Sequence, residues 1–333
     1  MRQVCIKVPK RSGEPTRRIL MELNILEDGL KIGSDEEHLY LPLTRELEAK
    51  EVERLPEVAE LCDFDFKEQE KPLTLEDILG FAPSYEMIGD IALIEADEPE
   101  AEKIADAILK VHSNIKTVLG ALTPVEGEYR TRQFKVIKGE EKTETIHKEH
   151  QCRYVIDLER AYFTPRLSTE RSRILEQIKP GEFVLDMFAG VGPYSILISK
   201  KSKAGKVIAI DKNPDAIELL KRNAILNKAI DIEVIEGDAN EEAGKFEGMA
   251  DHVIMNLPHN AYDFLDAAVI ATKKGGIIHY YAMTHEDDLF DSSIKLIEEA
   301  ASRAGRTIEV VEKRSVRSYA PHQYNICIDA KVN

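Results

Sequence analysis

Asp186-Met187-Phe188-Ala189-Gly190-Val191-Gly192-Pro193-Tyr194 is the stretch whose reading decides the fold. Phe183-Val184-Leu185 before it is a short apolar run of strand type, and Ser195-Ile196-Leu197-Ile198 after it opens a helix. A strand that passes through glycines into a helix lets backbone N–H groups approach a ligand with no Cβ in the way. A second strand, Val207-Ile208-Ala209-Ile210, ends in Asp211, nineteen residues past Gly192. An acidic residue about 20 positions beyond such a turn is placed to grip the hydroxyls of a ribose. The pattern predicts a site for an adenosine-bearing cofactor.

The turn reads A-G-V-G-P and lacks the third glycine of the dinucleotide fingerprint G-x-G-x-x-G. Three further landmarks follow in order: Glu236-Gly237-Asp238, then Asn256-Leu257-Pro258-His259 after the strand Val253-Ile254-Met255, then Lys274-Gly275-Gly276 before Ile277-Ile278-His279-Tyr280-Tyr281. This order resembles class I S-adenosylmethionine-dependent methyltransferases. The resemblance implies an α/β, Rossmann-like catalytic domain.

The chain has 333 residues, 43% of them apolar, which suits two or three domains with real cores. No apolar run approaches the roughly 18 residues of a membrane span, and the N-terminus has no signal-peptide core. Cys5, Cys62, Cys152 and Cys327 form no C-x-x-C pair, so they read as packing residues in a reducing cytoplasm, without a zinc cluster or disulfide framework. The net charge of −16 excludes a sequence-indifferent nucleic-acid coat but not an RNA enzyme with a local basic face. Such a face is offered by Arg130, Arg132, Lys135, Lys138, Lys142 and Lys148, and by the stretch Lys313, Arg314 and Arg317. Solvated surface charge is the competing reading for each cluster.

Three segments are expected: 1–70, 71–160 and 161–333. The first combines strands at 4–8, 39–43 and 62–66 with a helix at 13–23. The charged run 67–72, ended by Pro72, reads as the linker. The second segment offers one strand at 88–95, a helix at 101–112, and strands at 115–119, 129–137, 143–147 and 153–158. The third begins with a helix near Thr164-Pro165, a good cap followed by proline at the first helical position. It ends in strands at 308–311 and 324–328, joined by a basic loop.

Two constellations carry chemistry. Asn256 and Pro258 should lie at the end of a parallel strand, beside the ligand crevice, where an amide can bond a nitrogenous ring edge. Capping of a turn is the alternative for Asn256. In Tyr162-Phe163-Thr164-Pro165-Arg166-Leu167-Ser168-Thr169-Glu170-Arg171, Arg166 and Glu170 stand i, i+4 and should share a helix face. Spacing alone leaves open whether they are a working pair or a surface ion pair worth under about 1 kcal/mol.

Glu126-Gly127-Glu128-Tyr129-Arg130-Thr131-Arg132, Thr145-Ile146-His147-Lys148-Glu149, Tyr162 to Arg171, Asp186 to Tyr194, Asn256-Leu257-Pro258, His279-Tyr280-Tyr281 and Ser318-Tyr319-Ala320-Pro321 occur in this order. With Gly13-Glu14-Pro15-Thr16-Arg17-Arg18 in the first segment, the series resembles the archaeal tRNA (guanine37-N1)-methyltransferase family over nearly the whole chain. The resemblance implies that Glu170 is the general base for guanine N1, that Arg130 stabilises charge on O6, and that Asn256 holds the guanine edge. Pro258 and Tyr162 would shape the base pocket, with Arg166 among the substrate contacts. S-adenosylmethionine would sit against Asp186, Phe188, Gly190, Gly192 and Asn256, its ribose on Asp211 and its adenine near Asp238. The partner implied is tRNA carrying G37, read at its folded corner by the first segment; Arg17 and Arg18 are contacts or solvated charges. No metal is expected, and a cytoplasmic monomer is the default. The rival is a wyosine-pathway enzyme acting at the same tRNA position, as a C7-methyltransferase or an aminocarboxypropyl transferase.

Overall fold

The computed structural model describes residues 1–56, 58–69 and 73–333. Their contacts divide the chain into two compact units, Met1–Thr74 and Leu75–Asn333. In the first unit, β1 (Arg2–Pro9), β2 (Gly33–Ser34), β3 (His38–Pro42) and β4 (Glu60–Asp65) form an antiparallel sheet of order β2-β3-β1-β4. Ile6 and Val8 on β1 meet Leu20 of the helix Gly13–Glu22, and Leu41 and Leu43 close the core. Cys5 and Cys62 stand directly opposite on β1 and β4, their Sγ atoms 3.1 Å apart. Of the expected linker, Lys67 and Gln69 are tied to the first unit by hydrogen bonds with Lys31 and Gly29. Residues 70–72 lie outside the described residues.

The second unit opens with β5 (Glu86–Ile88), β6 (Ile91–Glu95), β7 (Thr117–Ala121) and β8 (Phe134–Gly139), paired in that order. The strands β6 and β7 are parallel, and the helix Ala101–Val111 crosses between them. Ile104, Ala105, Ala107 and Ile108 form its buried stripe, as the helical period demands. Two expectations need correction here. Residues 88–95 are not one strand, because Gly89 turns the chain at φ +60 where Ile146 O leaves no room for a Cβ. Residues 129–133 are not strand either: Arg130 has φ +54, and pairing with β7 begins only at Phe134.

A hairpin of β9 (Glu144–Glu149) and β10 (Cys152–Asp157) follows. The free side of β10 meets the helix Pro214–Asn227. Asn223 accepts from Val155 N at 2.6 Å and donates to Val155 O at 3.0 Å. Asn227 does the same with Arg153, at 2.9 and 2.6 Å.

The large sheet contains β11 (Phe183–Asp186), β12 (Lys206–Asp211), β13 (Ile232–Glu236), β14 (Ala250–Met255), β15 (Thr272–His285), β16 (Ile308–Ala320) and β17 (Gln323–Val332). Its order is β13-β12-β11-β14-β15-β17-β16. The first five are parallel, and β17 inserts antiparallel between β15 and β16. Central parallel strands are covered on both faces and so read as continuous apolar runs. Val184 and Leu185 of β11, and Val207 to Ile210 of β12, are all fully buried. The expected basic loop is instead strand: Lys313, Arg314 and Arg317 lie on β16, whose pairing with β17 is interrupted by bulges. The connection is a tight turn in which His322 takes φ +60.

Candidate active site

Strand order reverses at β11, where neighbours lie on one side towards β13 and on the other towards β14. Ligands of open α/β sheets bind outside the carboxyl ends of the strands at such a switch point. A pocket opens there, lined by Phe188 and Gly190 after β11, Asp211 at the end of β12, Asp238 after β13, and Asn256 and Pro258 after β14. Its other walls include Arg130 and Tyr162, with the Arg130 guanidinium carbon 5.1 Å from the Tyr162 ring centroid. Eight of the residues singled out from the sequence therefore share one cavity.

The turn after β11 is built for a nucleoside. Gly190 (φ +54) faces open space, its nearest neighbour to a notional Cβ being Tyr162 O at 3.8 Å. Asp211 Oδ2 accepts from Gly190 N at 2.6 Å and Oδ1 accepts from Asn213 N at 2.9 Å. Each oxygen keeps a second lone pair for a ribose hydroxyl. Burial pushes the Asp211 carboxyl up, against these backbone bonds that hold it down. Phe188 and Phe264 meet edge to face at 4.9 Å and supply an apolar wall. Asn256 Oδ1 is buried with no partner, the kind of orphaned acceptor that a bound ligand satisfies. These donors and acceptors fit an adenosine-bearing sulfonium cofactor.

Four of the sequence candidates do not line the pocket. Asp186 is fully buried beneath the turn; Ser195 Oγ donates to it at 2.6 Å, and burial pushes its carboxyl up to about 7. Gly192 (φ +90) is packed under Leu220 and Ile196, at a bend of the turn where a Cβ would not fit. Arg166 and Glu170 do not share a face. Thr164 caps a 3-10 turn, Pro165–Leu167, and only then does the helix Ser168–Gln177 begin, so α-helical i, i+4 spacing does not apply. Arg166 is exposed and pairs with Glu86 at 2.8 Å. Glu170 points inward, 3% exposed, where Arg173 holds it at 2.7 Å and the Tyr281 hydroxyl donates to it at 2.8 Å.

Other wall residues were given no place in the pocket by the sequence, Arg317 being read only as part of a basic stretch. Arg317 and Asn325 are cross-strand partners on β16 and β17, and each has a buried polar atom without a partner, Nε and Oδ1 respectively. The signal was an asparagine inside the apolar run Tyr324-Asn325-Ile326-Cys327-Ile328. Arg171 also contributes to the wall, its guanidinium held by Glu149 at 2.7 and 2.6 Å.

The sheet order, with its antiparallel last strand slotted between β15 and β16, and the nucleoside-shaped switch-point pocket define a class I S-adenosylmethionine-dependent methyltransferase. A family profile described as the TRM5/TYW2 methyltransferase domain matches residues 145–311, with a tRNA methyltransferase 5 N-terminal domain at 5–51 and a TYW2 N-terminal domain at 71–143. The chain belongs to the TRM5/TYW2 methyltransferase family. It is 41% identical to the tRNA (guanine(37)-N(1))-methyltransferase Trm5b of Pyrococcus abyssi, covering 99% of both chains. Against the tRNA 4-demethylwyosine(37)-methyltransferase Taw21 of Saccharolobus solfataricus it is 35% identical over 78% of this chain and 97% of the relative. The structure of aTrm5 in complex with tRNALeu superposes with a TM-score of 0.70 at 37% identity, covering 99% of this chain and 100% of that one.

Proposed function

We propose that this protein is a tRNA (guanine37-N1)-methyltransferase that transfers the methyl group of S-adenosylmethionine to N1 of guanosine 37 in the anticodon loop. The observation that carries this reading is a single pocket lined by Gly190, Asp211 and Asp238 together with Arg130, Tyr162, Asn256 and Pro258. One set suits a nucleoside cofactor and the other a purine.

When bound, the cofactor supplies an electrophilic methyl group. Asp211 would hold its ribose, Asp238 its adenine, and Phe188 and the Gly190 backbone its flank; Asn256 would hold the guanine edge beside the cofactor, and Asp186 and Gly192 would keep the turn in shape. Guanine N1 is a nucleophile only once its proton leaves, and Glu170 is the carboxylate assigned to take it. Such a base contributes about 10²- to 10⁴-fold and must come within roughly 2.6–3.2 Å of the proton's heavy atom. Deprotonation moves charge to O6, where the Arg130 guanidinium stabilises it. Pro258 packs on the base, whose removal from its stack costs a few kcal/mol. Arg166 is exposed for a tRNA phosphate once its pair with Glu86 opens. The first unit, matched by the Trm5 N-terminal profile, would read the folded corner of tRNA. A cytoplasmic monomer completes the reading.

The competing activity is transfer to a 4-demethylwyosine precursor at the same nucleotide. The N1 reading is favoured because Trm5b is matched over the whole chain, first unit included, whereas Taw21 is matched over 78% of it. The test is methyl transfer from labelled S-adenosylmethionine to an unmodified transcript and its G37→A counterpart. Label only on G37 supports the reading. Label on neither, with cofactor binding intact, overturns it in favour of a wyosine-pathway activity, to be assayed on precursor-bearing tRNA.

A further inference from the structure

The Arg173 guanidinium sits among three carboxylates. On its own helix it donates to Glu170 Oε1 through Nη2 at 2.7 Å and through Nε at 3.0 Å. From β17 it meets Asp329, Nη1 donating to Oδ2 at 2.6 Å. From β16 it meets the half-exposed Glu312 at 3.1 Å. Asp329 is itself fixed, by His279 Nδ1 at 2.7 Å and by Gln177 Nε2 at 2.9 Å. Burial pushes Asp329 up, but His279 and then Arg173 more than offset it, so its carboxyl is held well below the usual range. Burial likewise opposes the charge on Arg173, and its bonds to Asp329 and Glu170 keep it cationic.

We propose that Arg173 and Asp329 are positioning residues for methyl transfer: Arg173, anchored on Asp329, fixes the Glu170 carboxylate, and Asp329 keeps the guanidinium compensated when Glu170 takes up a proton. This rests on the reading of Glu170 as base. In that step the guanine N1–H bond breaks, its electron pair stays on N1, and an O–H bond forms on Glu170. Neutralising Glu170 would strand a largely buried guanidinium, 13% exposed, if Glu170 were its sole partner, and an uncompensated charge away from water is strongly unfavourable. With Asp329 and Glu312 in place, the cation stays paired throughout.

The other groups facing Glu170 do not supply this compensation. Tyr281 on β15 is a neutral donor, its hydroxyl pushed well above its usual value by burial. Tyr194 bonds Tyr281 behind it and is also raised by burial. Cys327 on β17 is a buried thiol, raised by burial. Arg314 on β16 is a second cation, 3.8 Å from Glu170 Oε2, which increases the need for a counter-charge.

The pH profile of single-turnover methylation tests this. Removing the cation by Arg173→Met leaves a buried carboxylate, so the acid limb should move to higher pH. Removing the counter-charge by Asp329→Asn leaves Glu170 facing the whole cation, so the limb should move to lower pH and the plateau rate should drop. Each displacement should be roughly one to three pH units. Glu312→Gln, at a half-exposed strand position, should move the limb down by less and does not depend on a buried variant folding. Arg173→Lys should return it near its wild-type position. Limbs that stay in place, or move in the same direction for both buried variants, overturn the proposal. Glu170→Gln separates the two claims: near-normal turnover there sinks the base itself, whereas an inactive Glu170→Gln beside unmoved limbs sinks only Arg173 and Asp329.

Discussion

The backbone N–H of Gly190 donates to Asp211 Oδ2 at 2.6 Å, so the glycine turn after β11 and the carboxylate closing β12 are one device. The two glycines of that turn nevertheless have different duties. Gly190→Ala meets only the strain of a left-handed residue, about 1–2 kcal/mol, but puts a methyl on the pocket wall. Gly192→Ala adds a collision with Leu220 and with Ile196 Cδ1 at 2.9 Å. Melting temperature should fall more for Gly192→Ala, and calorimetric S-adenosylmethionine affinity per folded molecule should fall more for Gly190→Ala. The reverse order would refute this division.

Asp186 should make stability depend on pH. Its carboxyl is raised from 3.8 to about 7 by burial, so the folded state holds a proton that the unfolded chain releases. The stabilisation is complete below about pH 4 and is lost as pH rises through about 7, a change on the order of a few kcal/mol. Thermal melts from pH 4 to 8 should show this decline in the wild type and a flatter course in Asp186→Asn. Equal slopes would mean that another group is responsible.

The buried pair Arg171–Glu149 should reveal itself by asymmetry. Burial pushes Glu149 up, yet Arg171 and then His147 bring it down to about 2. Arg171→Met strands that carboxylate and should destabilise by about 3–5 kcal/mol, while Arg171→Met combined with Glu149→Leu should recover much of the loss. Urea unfolding midpoints of the singles and the double decide it. A loss below about 1 kcal/mol in the single would contradict the pairing.

Arg130→Ala should lower turnover at saturating tRNA about 10²- to 10³-fold, the range for removing a donor aimed at developing charge. Arg130→Lys should recover little, because its position over Tyr162 uses a planar guanidinium. If only the tRNA KM changes, Arg130 is a phosphate contact instead.

Much of the second unit was legible because its chemistry is local. The run to Asp186, the turn at Gly190 and the strand ending in Asp211 each declare themselves within ten residues, and the sheet places them at one switch point. What eluded reading depends on contacts remote in sequence. Gly127 opens a turn that the Arg130 N–H closes, but the left-handed residue at its end is an arginine, which hid a pocket loop inside an expected strand. Glu170 shows helical spacing to Arg166, but its partners Tyr281, Asp329 through Arg173, and Arg314 arrive from strands more than a hundred residues later. Lys313, Arg314 and Arg317 read as loop because bulges in β16 break the period-2 pattern.

The amides of Asn223 and Asn227 have a consequence beyond holding a helix to a hairpin. Each exchanges two hydrogen bonds with one residue of β10, as a neighbouring strand would, so two side chains stand in for a missing strand. An uncovered strand edge is a template on which another molecule's backbone can add. These asparagines therefore occupy the edge positions at which a second backbone would add, and an apolar replacement of the same size would leave the N–H and C=O groups of Val155 and Arg153 without those partners. The outer edge of the hairpin is thus closed by carboxamides rather than by another strand.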